Sequence, residues 1–393
     1  MIKRNSFSDM EQRNSEKVGA QMETLVLVGG GHAHLYVIKN LKSSTKARLQ
    51  VILISTMDKQ YYSGMASGSL EGYYSEDDMS VDLMDYCKKH QVKFIKNTVI
   101  SFNPDSKYVL LSDGSTVAYH YVSFNVGSIT KTNLSIKDSN CFFVKPLTSI
   151  YDIRTKIMDL CENHNRVNII KIVVVGTGAA GIEIGLAAKT LAESKQMKVN
   201  LTFVGASAEF INGLQTQPKT TRIKTYRIWQ DINWELKDPG IEINRNKILL
   251  QSGKKIQFDI SILATGVSGS ELFKQSGTKT DDNHFMVVNE YLQNVRYSTV
   301  FGAGDCVSFD TPFNVPKNGV YAIKEAKVLV KNLELFISGK PLIAFKPQKH
   351  FLSIIALQEG LAILVYNHFS WVGKMPFHIK EWIDRNYMKR LKR

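Results

Sequence analysis

The chain has 393 residues, of which 44% are hydrophobic and 22% are charged, proportions that are ordinary for a globular protein of two to three domains. No run reaches the roughly 18 apolar residues that cross a bilayer. Residues 1–23 mix acidic and basic side chains without an apolar stretch, which predicts a disordered tail rather than a transit or signal peptide. The net charge of +14 implies acidic partners, of which anionic cofactors are one kind, and we find no nucleic-acid-binding module.

The first predicted element is an apolar strand at residues 25–28 that ends in Gly29, Gly30 and Gly31 and continues into a helical pattern. In such a strand–turn–helix unit the backbone approaches a pyrophosphate closely, and the helix N-terminus directs free N–H groups at it. His34 stands where the usual third glycine would be. This loop alone is therefore equally compatible with an ordinary tight strand–helix turn.

A second strand at residues 49–54 ends at Ser55, where an acidic residue commonly accepts a hydroxyl of the adenosine ribose. A serine hydroxyl makes a weaker hydrogen bond than a carboxylate does. The following segment is rich in Tyr, Ser and Gly, and its Tyr61 and Tyr62 are either stacking partners of a cofactor or ordinary packing aromatics. Further along, Val99 is expected to face an adenine, and Gly127 ends this half of the chain.

A second glycine loop, Gly176, Gly178 and Gly181, is a complete G-x-G-x-x-G that follows a β-branched strand and opens an Ala-rich helix. The repetition continues downstream, because each loop is followed by two glycines spaced 13 residues apart, Gly114 and Gly127 in the first copy and Gly253 and Gly266 in the second. An internal repeat of this kind predicts two dinucleotide-binding units.

The second unit is expected to open with a helix over residues 146–170 and to contain a strand at residues 199–204 that ends without an acidic residue. Without that acid, discrimination against a 2′-phosphate is weak. Lys219 and Arg222, in a basic run with Lys224 and Arg227, are able to accept such a phosphate. The sequence therefore leaves NADH and NADPH both open as donors.

The last third of the chain contains one more motif and one amphipathic helix. Residues 300–305 end in Gly304 and Asp305, and a helix is expected to begin near Asn318. From about residue 340 two strands lead to a final helix whose apolar residues recur at three- and four-residue spacing: Ile379, Trp382, Ile383, Tyr387 and Leu391. Basic residues surround this stripe, which is typical of a helix lying on an anionic membrane surface. The alternative is that the stripe packs on the protein's own sheet or on a dimer partner.

Together, the motifs VLVGGGHAHL, YSGM, VVVGTGAAGIE, VFGAGD, PKNGVYA and KEWIDR resemble those of flavoproteins with two dinucleotide-binding domains, the pyridine nucleotide-disulfide oxidoreductase class. More narrowly, the chain resembles the type II NADH:quinone oxidoreductases, and within them the branch that carries GGGHAH followed by YSGM. The resemblance implies an α/β fold with two Rossmann-like domains, for FAD and NAD(P)H, and a small α+β C-terminal domain. The expected divisions are 24–145 with 270–338 for FAD, 146–269 for NAD(P)H, and 339–393 for the C-terminal domain.

The resemblance also assigns binding residues. FAD is expected at Gly29, Gly30, Gly31, His32, Ala33, Ser55, Tyr62, Val99, Gly127, Gly304 and Asp305, with Asp305 accepting a ribityl hydroxyl. NAD(P)H is expected at Gly176, Gly178, Ala179, Ala180, Gly181, Glu183 and Gly266.

Two residues are candidates for catalytic roles. In the related enzymes a glutamate like Glu183 contacts the nicotinamide region, although an acid on the first turns of a helix also interacts with the macrodipole. Lys317, together with the helix that follows it, favours the reduced, anionic flavin, unless it is a solvated loop lysine. His32 and His34 are expected to pack against cofactor rather than to hold a metal.

The sequence therefore predicts an FAD-dependent NAD(P)H dehydrogenase that passes electrons to a quinone-type acceptor. Four scattered cysteines fit a cytoplasmic location, and no C-x-x-C pair is present to relay electrons. Peripheral attachment to a membrane and a homodimer both stay open. One alternative is a sulfide:quinone oxidoreductase, which needs two or three cysteines at the flavin, where only Cys306 is expected. Another is a protein that holds FAD without turnover.

Overall fold

A computed structural model of the protein describes residues 22–163, 168–207, 229–311, 315–348 and 351–393. Two five-stranded sheets, in which all paired strands are parallel, form its framework. The first sheet has the spatial order β22 (Val300–Gly302), β9 (Tyr121–Phe124), β1 (Glu23–Val28), β2 (Leu49–Ser55) and β5 (Lys93–Lys96). The second has the order β12 (Cys141–Phe143), β19 (Ile260–Leu263), β13 (Ile169–Val175), β14 (Lys198–Gly205) and β15 (Ile232–Leu236).

The central strands of both sheets are almost wholly buried. Four consecutive residues of β1, from Leu25 to Val28, are inaccessible to solvent, and the last four residues of β13 are likewise buried. Parallel strands covered on both faces require continuous apolar runs rather than alternation. This is why both strands were recognisable from sequence, and each carries its glycine loop at its carboxyl end.

Each unit has an additional sheet that is built on antiparallel hairpins. In the first unit it consists of β6 (Val99–Asn103), β7 (Tyr108–Leu111) and β8 (Thr116–Ala118). In the second it consists of β11 (Ser135–Lys137), β16 (Gly240–Asn244), β17 (Lys247–Leu250) and β18 (Lys255–Gln257), with β11 parallel to β16. Gly114 and Gly253 turn the corresponding hairpins at φ values of +83° and +89°. The repeated 13-residue spacing is therefore a hairpin turn followed by a closing strand.

Helices cover the sheets. In chain order they are α1 (His32–Asn40), α2 (Ser43–Lys46), α3 (Ala66–Glu71), α4 (Glu76–Met79), α5 (Leu83–Lys89), α6 (Ser149–Asn163), α7 (Ala179–Ser194), α8 (Glu271–Gln275), α9 (Gly319–Ile337) and α10 (Lys374–Lys392), with short 3-10 turns at Ser63–Met65 and Gly304–Cys306. The helix expected over residues 146–170 is shorter than predicted, because Ile169 and Ile170 already belong to β13. The predicted tail also ends earlier, since Glu23 begins β1 and residues 1–21 lie outside the described part.

Two short strands pair with each other where the chain passes between the two units. β10 (Ile129–Thr130) pairs antiparallel with β20 (Val267–Ser268), and all five strands of the second parallel sheet lie between them in sequence. Among the described residues, two further pairs are β3 (Lys59–Tyr61) with β4 (Ser80–Asp82) and β21 (Met286–Val288) with β23 (Val307–Phe309). A three-stranded C-terminal sheet consists of β24 (Ser353–Ala356), β25 (Ala362–Tyr366) and β26 (Phe369–Gly373). The residue boundaries of the domains stay a prediction.

The C-terminal helix α10 does not present the predicted apolar stripe as one exposed face. Leu391 is buried, and together with Met388 it belongs to the same core as α1 and α5. Tyr387 packs against this core as well, whereas Trp382 is 67% exposed. The alternative of packing on the protein itself therefore holds for the end of the stripe. Within the described ranges, none of the helices combines the length and apolar composition that a bilayer crossing needs.

Candidate active site

A cavity of about 430 Å³ opens at the carboxyl edge of the first parallel sheet. Eight of the predicted FAD-binding residues line it: Gly29, Gly30, Gly31, His32, Ser55, Val99, Gly127 and Asp305. They come from separate strand ends and turns, which a parallel sheet brings together at this edge. The N-termini of α1 and α9 also reach the cavity, through Gly31 and Gly319, so that their free N–H groups favour a bound anion.

The remaining predicted FAD residues lie just behind the lining. Ala33 is fully buried, and Gly304 is buried with its N–H donating to the carboxylate of Glu325. Tyr62 packs on the side of the cavity that faces α10, where its ring lies 4.8 Å from that of Tyr387. The hydroxyl of Ser55 accepts the N–H of Met57 at 3.2 Å, and it can still donate its own proton to a ligand.

Asn125 organises the first glycine loop, and sequence analysis assigned it no role. Its Oδ1 accepts the N–H groups of Ala33 at 3.0 Å and His34 at 3.4 Å, while its Nδ2 donates to the carbonyl of Ala303 at 2.6 Å. A Cβ on Gly31 would overlap this Oδ1. Glycine is thus required at position 31 by the packing of the loop itself, in addition to any ligand.

His34 takes the place of the missing third glycine as a buried cross-link. Its Nδ1 donates to the carbonyl of Gly29 at 2.7 Å, and its Nε2 lies 2.9 Å from the hydroxyl of Ser123. Burial lowers the pKa of His34 to about 4, so that the ring is neutral at physiological pH. In this arrangement both ring nitrogens are occupied by the protein. Within the described residues, no group of three or more His, Cys, Asp or Glu side chains is placed to hold a metal ion.

His32 links the cavity to the C-terminal helix. Its Nδ1 is 2.8 Å from the hydroxyl of Tyr387, and its Nε2 is 3.3 Å from the carbonyl of Tyr61. Burial lowers the pKa of His32 to about 4, with the Tyr61 carbonyl and Asp305 opposing that shift. A neutral ring at this position can pack on a cofactor without adding a charge.

Lys145 is a cavity residue that sequence analysis missed. Its ammonium group donates to Asp305 Oδ2 at 2.8 Å and to the hydroxyl of Ser128 at 2.7 Å. Lys145 follows β12, a strand of the second sheet, whereas Asp305 follows β22 of the first. The ion pair therefore joins the two units inside the cavity. Because its partner is 160 residues away, local sequence pattern gave no sign of it.

Lys317 does not line the cavity. Its ammonium group donates to the carbonyl of Val307 and lies 4.4 Å from the centre of the Phe285 ring. Burial lowers its pKa, and Glu325 is the largest of the charges that oppose this. The helix behind it begins as expected, with the side chain of Asn318 accepting the N–H groups of Val320 and Tyr321.

The second glycine loop is open at the N-terminus of α7. A Cβ on Gly176 or on Gly181 would overlap backbone carbonyls, whereas a Cβ on Gly178 would meet nothing within 4 Å. Gly178, Ala179 and Ala180 are exposed. Since protein packing does not require a glycine at position 178, the free space suits an incoming pyrophosphate. Gly266, at φ +116°, leads from the loop beside it into β20.

Glu183 lies on the second turn of α7 but turns toward the C-terminal sheet. Its Oε1 accepts the N–H of Ala356 at 2.7 Å. Burial raises its pKa, and Lys380 opposes this shift. Lys380 in turn donates to Asp384 at 2.8 Å and to the carbonyl of Gly64. Three parts of the chain therefore meet in one buried polar network.

Tyr62 completes this network, because its hydroxyl donates to Asp384 at 3.0 Å. Burial opposes protonation of Lys380, but Glu183 and Asp384 raise its pKa overall. Burial also raises the pKa of Asp384, with Lys380 opposing. One ammonium group, that of Lys380, thus lies between two carboxyl groups at the junction of the two glycine-loop units and α10.

The four cysteines are free and do not form a redox pair. Cys306 is fully buried, and its thiol contacts the carbonyls of Phe124 and Ala303 at 3.4 and 3.3 Å. Burial raises the pKa of Cys306 to about 12, which disfavours the reactive thiolate. The others lie on separate elements, Cys87 on α5, Cys141 on β12 and Cys161 on α6.

The sequence model of the pyridine nucleotide-disulphide oxidoreductase family matches residues 23–326, more than half of the chain. The chain belongs to this family. The cofactors predicted for this pyridine nucleotide-disulphide oxidoreductase, FAD and NAD(P)H, are thereby confirmed, and the residues around the cavity and the second loop fit them.

Two relatives of this oxidoreductase match over most of its length. One is a probable NADH dehydrogenase from Dictyostelium discoideum, 24% identical over 385 residues that cover 90% of this chain and 83% of the relative. The other is a type II NADH:quinone oxidoreductase from Haemophilus influenzae, 23% identical over 372 residues and covering 83% of each chain. The resemblance to this group that the motifs predicted is confirmed.

Two solved structures show the same fold. The sulfide:quinone oxidoreductase of Aquifex aeolicus superposes with a TM-score of 0.79 at 18% identity, covering 94% of this chain and 91% of its own. NDH2 of Plasmodium falciparum in complex with NADH superposes with a TM-score of 0.78 at 16% identity, covering 95% and 98%. At these identities the comparison establishes the architecture, and the predicted α/β fold with Rossmann-like domains is confirmed.

Proposed function

We propose that this oxidoreductase is an FAD-dependent dehydrogenase that takes hydride from NAD(P)H and passes electrons to a quinone-type acceptor. Bound FAD supplies the chemistry, accepting a hydride and releasing electrons, while the protein binds, orients and excludes water. The observation that carries the proposal is the open helix N-terminus at Gly178, beside a second sheet that repeats the flavin unit. The names of the relatives from Dictyostelium and Haemophilus agree with this donor, and the second also with this acceptor.

The predicted site residues keep their roles as proposals, supported by their placement. The FAD set surrounds the cavity, and the NAD(P)H set lies on the second loop and the start of α7. The two candidate catalytic residues, Lys317 and Glu183, are supported by different observations. Lys317 lies behind the cavity wall, so that we expect it to act through its charge rather than by contact. Glu183 contacts the C-terminal sheet, which puts it between the nicotinamide loop and the buried Lys380.

The donor is tested by Gly178→Val. A valine fits the protein at this position but occupies the space left for the pyrophosphate, so FAD should stay bound while NAD(P)H no longer bleaches it. Stopped-flow absorbance with NADH and NADPH measures the effect, and dithionite must still bleach the variant. Ser194→Val, at the other end of α7, adds the same side chain away from the loop and serves as a control. Flavin loss in Gly178→Val would mean that the two loops are assigned the wrong way round.

The acceptor side of the proposal includes a membrane surface. Large apolar side chains are exposed on β26 and α10, with exposed fractions of 58% for Phe369, 40% for Trp371, 56% for Met375 and 67% for Trp382. Aromatic residues of this kind anchor proteins at a lipid interface, from which a hydrophobic quinone is reached. Attachment through these exposed side chains does not require the end of α10, where Met388 and Leu391 are buried.

Sedimentation with anionic vesicles tests the attachment. Removal of the whole helix would expose the core that Met388 and Leu391 fill, so point substitutions are the better probe. We expect the wild type to pellet at low salt and Trp371→Ser with Trp382→Ser to remain in solution. Ile241→Ser, at an exposed apolar residue of β16, is the control. If the wild type stays in the supernatant, the membrane proposal fails. Cytoplasmic location and homodimerisation also stay predictions.

The alternatives give different spectra. A sulfide:quinone oxidoreductase would be bleached by sulfide without NADH, and the likeness to the Aquifex fold is the observation in its favour. The isolated, buried Cys306 argues against it. A protein that only holds FAD would show a flavin spectrum that neither NADH nor NADPH alters.

A further inference from the structure

Glu325 is a buried carboxyl group that contacts the turn at Gly304 and Asp305, which we call the flavin turn. It lies on the second turn of α9 with 2% of its surface exposed, and its Oε2 accepts the N–H of Gly304 at 2.5 Å. Gly304 adopts a φ of +77° and immediately precedes Asp305, which lines the cavity. The position of Asp305 therefore depends on a turn that Glu325 holds from behind.

The surroundings of Glu325 contain few compensating charges. Lys317 is nearby, but its ammonium group is held by the carbonyl of Val307 and the ring of Phe285, and among the described residues no salt bridge within 4.0 Å reaches Glu325. Asp305 adds negative charge from the turn, and Lys145 pairs with Asp305 rather than with Glu325. Cys306 on the turn and His32 and His34 on α1 are neutral at physiological pH. Lys39, near the far end of α1, donates to the carbonyl of Arg390.

These surroundings bring the pKa of the Glu325 carboxyl group close to physiological pH. Burial raises the pKa of Glu325 to about 7, while the Gly304 N–H and Lys317 oppose the shift and Asp305 adds to it. Charges interact strongly in such a water-excluded region. A further negative charge in the cavity would raise the pKa of Glu325 again, and the group would then bind a proton at a pH where it was previously ionised.

We propose that Glu325 is a positioning residue that takes up one proton from solvent when the neighbouring flavin is reduced, and that it thereby couples reduction to pH. Two electrons and one proton leave one added negative charge at the flavin site; the proton comes from a hydride donor or, when electrons alone are supplied, from solvent. The Glu325 carboxylate and a proton from water give the neutral acid, which offsets that charge. In both states Glu325 retains an oxygen that accepts the Gly304 N–H, so the turn keeps its geometry.

A glutamine substitution separates the effect of the Glu325 charge from that of its hydrogen bond with Gly304. Glu325→Gln keeps an oxygen acceptor for Gly304 but cannot titrate. Glu334→Gln is the matched control, because Glu334 lies on the same helix and pairs with Lys42 at 3.3 Å, away from the cavity. Since flavin binding is all that the proposal requires, reduction is carried out photochemically, without NAD(P)H or quinone. Failure of the proposed donor or acceptor therefore does not affect the result.

The experiment counts protons taken up per flavin on reduction, using an indicator dye in weakly buffered solution. We expect the wild type and Glu334→Gln to take up about one proton at about pH 6 and about two at about pH 8, and Glu325→Gln to take up about one at both. Uptake of one additional proton changes the equilibrium constant for flavin reduction tenfold per pH unit, which is about 30 mV for a two-electron couple. Above about pH 7, the midpoint potential of the wild type should therefore fall by about 30 mV more per pH unit than that of Glu325→Gln. Equal proton counts in the wild type at the two pH values would overturn the proposal, even if Glu325→Gln failed to retain FAD. Equal counts in the wild type and Glu325→Gln at about pH 8 would overturn it as well.

Discussion

Replacement of Asn125 by alanine should loosen the flavin-binding loop before any ligand is present. The substitution removes the acceptor of the buried Ala33 N–H, at 3.0 Å, and the donor to the buried Ala303 carbonyl, at 2.6 Å. Each lost partner leaves a buried polar group unsatisfied, which usually costs about 1–3 kcal/mol. Because Asn125 lines the open cavity, water can partly replace it, and we take the lower end of that range, about 1–1.5 kcal/mol. The third contact, to the His34 N–H at 3.4 Å, is too long to add much. The expected destabilisation is therefore about 2–3 kcal/mol.

Thermal unfolding of flavin-free protein, followed by far-UV circular dichroism, measures this effect. For a unit of about 150–250 residues, 1 kcal/mol corresponds to roughly 2–4 °C, so we expect the Tm to fall by about 4–12 °C. Asn283→Ala, which removes a surface contact with Lys131, is the control. A Tm for Asn125→Ala within about 1 °C of wild type would refute the view that this side chain holds the loop.

Three further results are expected. Gly31→Val should yield flavin-free protein, because its side chain overlaps Asn125 Oδ1 and enters the pyrophosphate space; purification with stoichiometric FAD would contradict this. The neutral, buried His34 has its pKa lowered from 6.5 to about 4, so the unfolded chain binds more protons between these values and stability should fall by up to about 3 kcal/mol as the pH drops through that window. In unfolding measurements at several pH values, His34→Gln should flatten this dependence, and an unchanged slope would reject the assignment. Lys145→Met leaves Asp305 without its partner and should weaken FAD binding measured by fluorescence titration, whereas Lys145→Arg should restore it; equal affinities in all three proteins would show that the ion pair is irrelevant to the flavin.

The fold was accessible from sequence because its signals are local. Strands buried on both faces appear as apolar runs, and glycine loops sit at their ends within a few residues. The duplication made the interpretation stronger, since the same spacing from Gly114 to Gly127 recurs from Gly253 to Gly266. These features indicate the two parallel sheets and the edge of each sheet at which its glycine loop lies.

The polar residues of the site were harder to predict, because their partners are distant in sequence. Lys145 meets Asp305 across 160 residues, and Asn125 meets Ala303 across 178. Neither pairing follows from a local pattern. The same reason explains why the partial burial of α10 was not predicted. Periodicity shows which residues share a helix face, but it does not show that Lys380 and Asp384 are buried by pairing with each other and with Tyr62.

The antiparallel pairing of β10 with β20 has a consequence for how the chain was assembled. Neighbouring strands lie about 5 Å apart, so the polypeptide leaves the first unit and returns to it at almost the same point. All five strands of the second parallel sheet therefore lie in one segment, between Thr130 and Val267, whose two ends are adjacent. A short linker across that gap would give a chain that retains every strand of the first parallel sheet, which makes the host unit an accessible target for excision and circular permutation.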